Sequence, residues 1–433
     1  MSLRRVDGLW LIVERLGLLA LEAFSPSTRA LSIPALLIGA TVISTSAIAH
    51  DFTLESAVRY AREHNPELAA ARLRIEEAQG RHTNAGRLMN PELQVGASRM
   101  PGSSEGRLGL AFMQKFPVTH RLRLEKSISA AELAAAEEEV KNEERKLGAE
   151  VRTLAVKLLY TDAVRELTEK QIANSTNLAA IATGRTAAGE GNSTEVARME
   201  LEAGELHLNN LKLDTEVAEM TGMLRPMLGL LPEEPVHFTG GLMGAVSLPV
   251  ANADPQNRAD YRAAGHMETA ARHGVNLEHA KKYDDISVGA MVEGERVMDE
   301  PAGIQRRNMV GVQISIPLPL WNRNQGKVQE ATATATRAQK EKEALALNIQ
   351  AEASTARSQM AAFARVAKQT QDVLIPKSTE IEERLREQYR QGHATLEDLL
   401  RARDKHLQLE REYLDSQRDY YLARAKWLAA AGK

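Results

Sequence analysis

Four short stretches of the chain alternate apolar residues with polar or small ones. Their apolar members are Leu93, Val95 and Ala97; Leu108, Leu110 and Phe112; Ile286, Val288, Ala290 and Val292; and Val310, Val312, Ile314 and Ile316. A period of two residues is typical of β-strands with one buried face. The pattern therefore predicts four strands in two β-hairpins, over residues 92–117 and 285–318.

The stretches that follow each β-hairpin have a helical pattern instead. Segments such as Glu132–Val140 place small or apolar residues at helical spacing, with charged residues between them. Narrow alanine seams of this kind favour close helix packing, as in coiled coils. We predict two long helical hairpins, over residues 121–229 and 323–431. A shorter helical segment is expected before each β-hairpin, at Leu54–Leu88 and at about Arg258–Lys282.

Motifs of the first half recur in the same order roughly 200 residues later. The matched pairs are Asn90–Ala97 with Tyr283–Ala290, Leu108–Phe112 with Val310–Ile314, and Gly189–Val196 with Gly392–Leu399. This order predicts a tandem duplication. The first structural repeat would cover residues 50–245, the linker 246–256 and the second repeat 257–433.

The amino terminus has the parts of a secretory signal peptide. Arg29 precedes an apolar run, Leu31–Ile43, and the small residues Ala47 and Ala49 follow it at a candidate cleavage site. The run is shorter than the roughly 20 apolar residues of a membrane-spanning helix. We predict that residues 1–49 are a leader, either unusually long or with its true start downstream of Met1. The alternative is a short buried helix.

Composition and charge exclude several classes of protein. The 433 residues include 55 basic and 58 acidic side chains, a net charge of −3, so nothing indicates a nucleic-acid binder. The absence of cysteine excludes disulfides, thiolate zinc sites and a cysteine nucleophile. No nucleophile–base set or phosphate-binding glycine loop occurs, and the 11 histidines are scattered. We expect no enzyme activity, no cofactor and no metal site, with His120, His393 and His406 solvated or lining a lumen.

The residue patterns alone leave two architectures open. The hairpins could form a half-buried sheet on a soluble coiled-coil rod or periplasmic adaptor. Alternatively, the four strands could belong to a membrane β-barrel, because they have about the length of barrel strands, which take ~9–11 residues. Four strands cannot close a barrel alone, because the smallest barrels have about 8. A barrel would therefore be shared between copies of the chain.

The order of β-hairpin, long helix, turn and return helix, present twice behind a signal peptide, resembles the TolC-type outer-membrane efflux proteins. The motifs that carry the resemblance are Asn65–Leu68, Asn90–Leu93, Gln114–Pro117, Ile316–Gly326, Tyr389–Gly392 and Glu397–Leu400. The last three are similar to the branch typified by the heavy-metal exporters CzcC and CusC.

This resemblance implies a mainly α fold with a small β part. Three chains would form a homotrimer with a twelve-stranded transmembrane β-barrel in outer-membrane lipid and a helical tunnel across the periplasm. A periplasmic membrane-fusion adaptor and an inner-membrane RND pump are the implied partners. The implied function is a passive efflux channel with heavy-metal cations as cargo. The alternatives are a type I protein-secretion or drug-efflux channel of the same family, and the soluble adaptor.

The resemblance also places a periplasmic gate at the two helix turns, near Gly189 and Gly392. The gate candidates are Glu195, Tyr389, Asp398 and Arg401. An acid ring would favour cations, but Arg401 stands where the family has a further acid and would offset part of that charge. The alternative for Glu195 and Asp398 is placement in the first turn of a helix, which the helix dipole favours.

Prolines mark the predicted corners between strands and helices. Pro117, Pro317 and Pro319 stand where a strand pattern gives way to a helical one, because proline cannot donate to a strand ladder. Trp321 follows at once. It is expected either to anchor at a membrane interface or to pack in the corner.

Overall fold

The computed structural model describes residues 50–187, 192–241, 253–299 and 301–433. The predicted signal peptide, the turn glycine Gly189 and most of the predicted linker lie outside these ranges. Within them the chain is mostly helical with a small sheet part, so the predicted fold class is confirmed.

Both halves of the chain contain a β-hairpin, a long helix and a return helix in the same order. The first half comprises β1 (His50–Phe52), α1 (Leu54–His64), α2 (Pro66–Asn84), β2 (Glu92–Arg99), β3 (Gly106–Phe116), α3 (Arg121–Ala187), α4 (Ser193–Leu228) and β4 (Val236–Phe238). The second half comprises a 3-10 turn (Pro255–Asn257), α5 (Ala259–Ala280), β5 (Ile286–Asp299), β6 (Gly303–Ser315), α6 (Gln325–Gln369), a π-helical segment (Thr370–Leu374), α7 (Ile375–Arg390) and α8 (Leu396–Ala430).

The Asn-Pro-Glu-Leu motif has a different role at each of its two positions. Asn65 caps α2: its side chain accepts a hydrogen bond from the Leu68 amide at 2.7 Å and donates to the Met227 carbonyl at 3.0 Å. Pro66 follows in the first turn, where a missing N–H costs nothing. The second copy, Asn90–Leu93, leads into β2. The residues that follow decide between helix and strand, because their apolar period differs.

The four hairpin strands form one antiparallel sheet in the order β2-β3-β5-β6, and the two hairpins meet where β3 pairs with β5. The register is unbroken, with Val95 opposite Leu110, Leu110 opposite Val292, and Val292 opposite Val310. We call the side with these four residues the apolar face. Strands β2 and β6 are the edges of the sheet. A separate pair of short parallel strands joins β1 to β4.

Helix α3 has 67 residues and spans about 100 Å at ~1.5 Å per residue. It packs against α4 of its own hairpin and against α5 and α8 of the other half. Glu138 of α3 pairs with Arg262 of α5 at 2.7 Å. The hydroxyl of Tyr160 donates to Asp415 of α8, and burial with this bond raises the pKa of Tyr160 to about 12. These contacts join the two halves along α3.

The long helical segment after β6 is not a single continuous α-helix. It is interrupted by the π-helical segment Thr370–Leu374, and Pro376 follows in the first turn of α7. Proline lacks an N–H and clashes with the carbonyl four residues earlier in an α-helix. The wider π turn accommodates this missing bond.

The helices are held by separate apolar clusters rather than one core. One cluster joins α1, α3 and α4 to the β1–β4 pair and contains Phe52, Ala57, Val58, Ala61, Val151, Leu154, Leu158, Leu224 and Leu228. Another lies between α6 and α8 around Met360, Tyr420 and Trp427. No helix in the described ranges is long and apolar enough to cross a membrane.

Candidate functional site

The tips of the two helical hairpins pack together. Leu178 of α3 and Met199 of α4 contact Tyr389 of α7 and the pair Leu399 and Leu400 of α8. This small cluster brings the four helix ends to one place. The gate candidates that the resemblance suggested lie at these helix ends, whereas the turn glycine Gly189 lies outside the described residues.

Glu195 and Tyr389 are joined across the two hairpins. Asn192 caps α4 by accepting a hydrogen bond from the Thr194 amide at 3.0 Å, which places Glu195 in the first turn of that helix. The Tyr389 hydroxyl donates to Glu195 Oε2 at 3.2 Å. Tyr389 is 2% exposed, whereas Glu195 is half-buried. This bond reaches from the end of a buried ring to a carboxylate at the surface.

Gly392 and Asp398 shape the turn between α7 and α8. Gly392 has a φ of 77°, a left-handed conformation that favours glycine after a helix end. Thr395 caps α8, since it accepts from the Asp398 amide at 3.2 Å and donates to Asp398 Oδ2 at 2.6 Å. The hydrogen bond that the Thr395 hydroxyl donates to the carboxylate, with a second one from the Thr395 backbone, holds the pKa of Asp398 below its usual range. Asp398 therefore lies in the first turn of α8, which is the structural alternative that the sequence offered for this residue.

Arg401 pairs with an acid other than the gate candidates. Its guanidinium contacts Glu397, one turn earlier on α8, at 2.6 Å. Both side chains are more than half exposed. Such exposed pairs add little to stability. In the single chain, the direct partner of the Arg401 charge is thus Glu397.

Sequence reasoning missed Arg403, which is 2% exposed. Its guanidinium contacts the Glu202 carboxylate on α4 and donates to Ser175 Oγ on α3 at 3.2 Å. Burial lowers the pKa of Arg403. A buried charge persists where it is paired and hydrogen-bonded, so Arg403 connects α8 to both helices of the first hairpin. A signal existed, because Arg403 continues the helical spacing of the buried Leu396 and Leu400.

His406 differs from its prediction as a solvated or lumen-facing residue. Its side chain is 14% exposed, and its Nδ1 lies 2.9 Å from Ser378 Oγ on α7. It therefore belongs to the contact between α7 and α8. Within the described ranges, no group of three or more His, Asp or Glu side chains is arranged to hold a metal ion.

The strand–helix corners contain the predicted prolines. Pro117 directly follows β3, and Pro317 and Pro319 lie between β6 and α6. Trp321 is 90% exposed, so it is not packed in the corner by any of the described residues. The loop residue Asn324 has a φ of 62°.

An ion pair at the corner was not foreseen from the sequence. Arg121, the first residue of α3, donates through two nitrogens to Asp285 just before β5, at 2.8 and 2.5 Å. It also reaches Glu125 at 2.9 Å. Bidentate arginine–carboxylate pairs are directional as well as strong. This pair fixes the start of α3 against the β-hairpin of the second half.

Solved outer-membrane channels share this arrangement of a small sheet and long helical hairpins. The outer membrane protein VceC of Vibrio cholerae is 21% identical, over 88% of this chain and 96% of its own, with a TM-score of 0.70. The outer-membrane channel OprN is 19% identical, over 94% and 98%, with a TM-score of 0.71. CusC is 17% identical, over 94% and 99%, with a TM-score of 0.74. At these identities the likeness shows the fold alone.

The sequence itself decides the family. The outer membrane efflux protein family matches residues 57–229 and 253–433, more than half of the chain. This chain therefore belongs to the outer membrane efflux protein family. No curated protein matches it significantly by sequence. Membership does not separate the heavy-metal branch from others.

Proposed function

We propose that this chain is the outer-membrane channel subunit of a tripartite RND-type efflux system. It acts as a passive conduit from the periplasm and the pump to the exterior, without catalytic activity of its own. Membership of the efflux family supports the channel role. The single observation that carries the proposal is the exposed apolar face of the four-stranded sheet.

Among the described residues, none covers the apolar face. Val95, Leu110, Val292 and Val310 form one row across the sheet and are 66%, 45%, 53% and 81% exposed. Neighbouring rows add Leu93, Leu108, Phe112, Val312 and Ile314, which are also exposed. A continuous apolar area of this kind marks a contact with lipid or protein. Lipid also requires that backbone groups at the edges of β2 and β6 be paired, which a closed barrel achieves.

Closure needs further copies of the chain. Because the smallest barrels have about 8 strands, at least two chains must combine. We infer three, as the family resemblance implies, which gives a twelve-stranded barrel and a helical tunnel in the periplasm. The signal peptide would deliver the chain across the inner membrane. A membrane-fusion adaptor and an inner-membrane RND pump would be the partners, and the pump would supply the energy.

We infer that the hairpin tips form the periplasmic gate. The Tyr389–Glu195 hydrogen bond and the Arg403–Glu202 pair both join the second helical hairpin to the first. Opening would be a rotation of the return helices. It would convert one packed arrangement of the same helices into another, a two-state conformational change without a chemical step.

For the cargo we propose a soft heavy-metal cation. The face opposite the apolar face carries Met113, Met291 and Met309 on three neighbouring strands. The sulfur of Met113 lies over Gly289, where an added Cβ would come within 2.0 Å of it. Thioethers are soft donors that suit ions such as Cu(I). These side chains would line the path and make passing contacts rather than a stoichiometric site.

A pair of adjacent substitutions tests the barrel. Lysine at the middle of a lipid-facing strand costs about 2–4 kcal/mol, so Val292→Lys should sharply reduce trimer assembly in outer membranes. Met291→Lys, one residue away on the opposite face, is the matched control and should assemble. Assembly is measured as a heat-modifiable oligomer, and function as conductance in a planar bilayer. A monodisperse monomer in detergent-free buffer, with both variants equally tolerated, would favour the soluble adaptor and refute the channel.

A further inference from the structure

Three arginines lie in one row across the sheet, at the end farthest from the helices. In the strand register, Arg99 is opposite Gly106, Gly106 is opposite Arg296, and Arg296 is opposite Arg306. All three arginine side chains are exposed. We call Arg99, Arg296 and Arg306 the arginine row.

The arginine row belongs to the apolar face. Side chains alternate along a strand, and Arg99, Arg296 and Arg306 have the same parity as Val95, Val292 and Val310. The row therefore continues the apolar face beyond its last hydrophobic residues. It does not point toward the opposite face, which the barrel would enclose.

The arginines of the opposite face pair with acidic side chains of the sheet, whereas the row has no such partner among the described residues. Arg107 contacts Glu293 and Glu295 at 2.5 and 3.1 Å, and Arg307 contacts Asp299 at 3.3 Å. Across the described residues, no hydrogen bond or ion pair involves the side chain of a member of the arginine row. Arg296 and Arg306 are moreover direct cross-strand neighbours, and like charges in that position destabilise a sheet. An external anion would remove this repulsion.

The distance along the strands places the row at a membrane surface. From Gly106 to Phe116, β3 advances about 34 Å at ~3.4 Å per residue. With a strand tilt of about 40°, this corresponds to a height of roughly 25 Å, the usual height of the apolar band of a barrel. The prolines and Trp321 lie at the other end of that span. The arginine row then lies level with the lipid headgroups on the side away from the helices.

We propose that the arginine row binds the phosphate groups of phosphorylated glycolipid in the outer leaflet of the outer membrane. Planar guanidinium groups bind phosphate oxygens through two parallel hydrogen bonds. Neighbouring cations at headgroup level attract anionic lipid, each by a modest amount that adds up along the row. This inference rests on the proposed channel function, because it requires the apolar face to be in the membrane.

The test compares two double variants that each remove two positive charges from the same end of the sheet. Arg296→Gln with Arg306→Gln alters the row, and Arg107→Gln with Arg307→Gln alters the opposite face. Each purified oligomer is titrated in detergent with diphosphoryl lipid A and with its dephosphorylated form, and binding is followed by native mass spectrometry. Inorganic phosphate is added as a competitor.

We expect wild type to bind the phosphorylated lipid about tenfold or more tightly than the dephosphorylated one, a preference that weakens with salt. The row variant should lose this preference and the opposite-face variant should keep it. Arg296→Lys with Arg306→Lys, which preserves charge without the planar fork, should keep part of it, and it tests the proposal if the glutamine variant does not assemble.

Three results would overturn the proposal: equal binding of the two lipids by wild type, equal loss in both double variants, or full competition by inorganic phosphate at the lipid concentration. Bilayer conductance of the same wild-type preparation distinguishes a failure of the phosphate-site proposal from a failure of the proposed channel function. A conducting oligomer without lipid preference removes the phosphate site only. A wild-type protein that neither inserts nor conducts refutes the channel, and the phosphate site with it.

Discussion

The hydrogen bond between Tyr389 and Glu195 can be removed without disturbing the cluster around it. Tyr389→Phe deletes the hydroxyl that donates to Glu195 Oε2 at 3.2 Å and keeps the buried ring. The packing against Leu178, Met199 and Leu399 is then retained. The change therefore separates the bond between the hairpins from the apolar contact between them.

The magnitude follows from the exposure of the bond. A hydrogen bond to a charged group contributes about 1.5–3 kcal/mol when desolvated, but Glu195 is half-buried, so we assign about 1 kcal/mol per chain. This corresponds to a factor of roughly 5 in the ratio of open to closed gate. If three chains open together, the ratio rises about 100-fold.

Single-channel recording in a planar bilayer measures this ratio as open probability. Tyr413→Phe is the matched control, because its hydroxyl accepts a hydrogen bond from Gln417 on the same helix at 2.7 Å and joins no second hairpin. The double variant Tyr389→Ala with Asp398→Ala should conduct more than Tyr389→Phe, since it also opens a cavity in the tip cluster. Open probabilities of Tyr389→Phe and Tyr413→Phe that both equal wild type would refute the assignment of this bond to the gate.

Other perturbations should have separable effects. Arg403→Met removes the buried guanidinium and leaves Glu202, which is 27% exposed and can be hydrated, so the free energy of unfolding should fall by about 1–3 kcal/mol. Arg401→Met, at an exposed pair, should change it by less than about 1 kcal/mol; chemical denaturation in detergent compares them. Burial opposes ionisation of Glu138, but Lys141 and Arg262 outweigh it and lower its pKa. The contribution of Glu138 to stability is complete above the ordinary pKa of 4.5 and is lost as the pH falls through the lowered pKa. The hydrogen-exchange protection factors of α5, corrected for the intrinsic pH dependence of amide exchange, should therefore fall on acidification, and Arg262→Gln should abolish that step. Replacing the three methionines of the opposite face by leucine should reduce cellular tolerance to silver more than to zinc, and unchanged silver tolerance would remove them from the transport path. The methionines concerned are Met113, Met291 and Met309.

The spacing of apolar residues, together with the prolines and glycines between segments, was enough to place most helices and strands. The alternation around Val95 and Val292 predicted strands that the structure contains. The helical pattern predicted hairpins over residues 121–229 and 323–431, within which the structure has the return helices Ser193–Leu228 and Leu396–Ala430. These features are local, because a residue's neighbours in sequence decide whether its side chain recurs every two or every 3.6 residues. The fold class could therefore be predicted without knowledge of contacts.

Contacts between distant segments were beyond that reasoning. Helical spacing places Arg403 on the buried face of α8, but it does not identify its partners, because Ser175 lies 228 residues away in sequence. Pairing of β3 with β5 likewise joins segments that no local pattern relates. The π-helical segment before Pro376 shows the same limit within one helix, because a proline allows either a kink or a wider turn.

The two contacts at the helix tips differ in how easily they can be broken, and this difference constrains opening. The Tyr389–Glu195 bond ends at a half-buried carboxylate, so water can replace it at little cost. The Arg403 guanidinium is 2% exposed, and separating it from Glu202 would leave a buried charge unpaired. Opening at a modest cost in free energy should therefore break the Tyr389–Glu195 hydrogen bond and retain the Arg403–Glu202 ion pair. We expect α8 to pivot near Arg403 while the tips beyond it separate, which spin-label distances across the two sites can resolve.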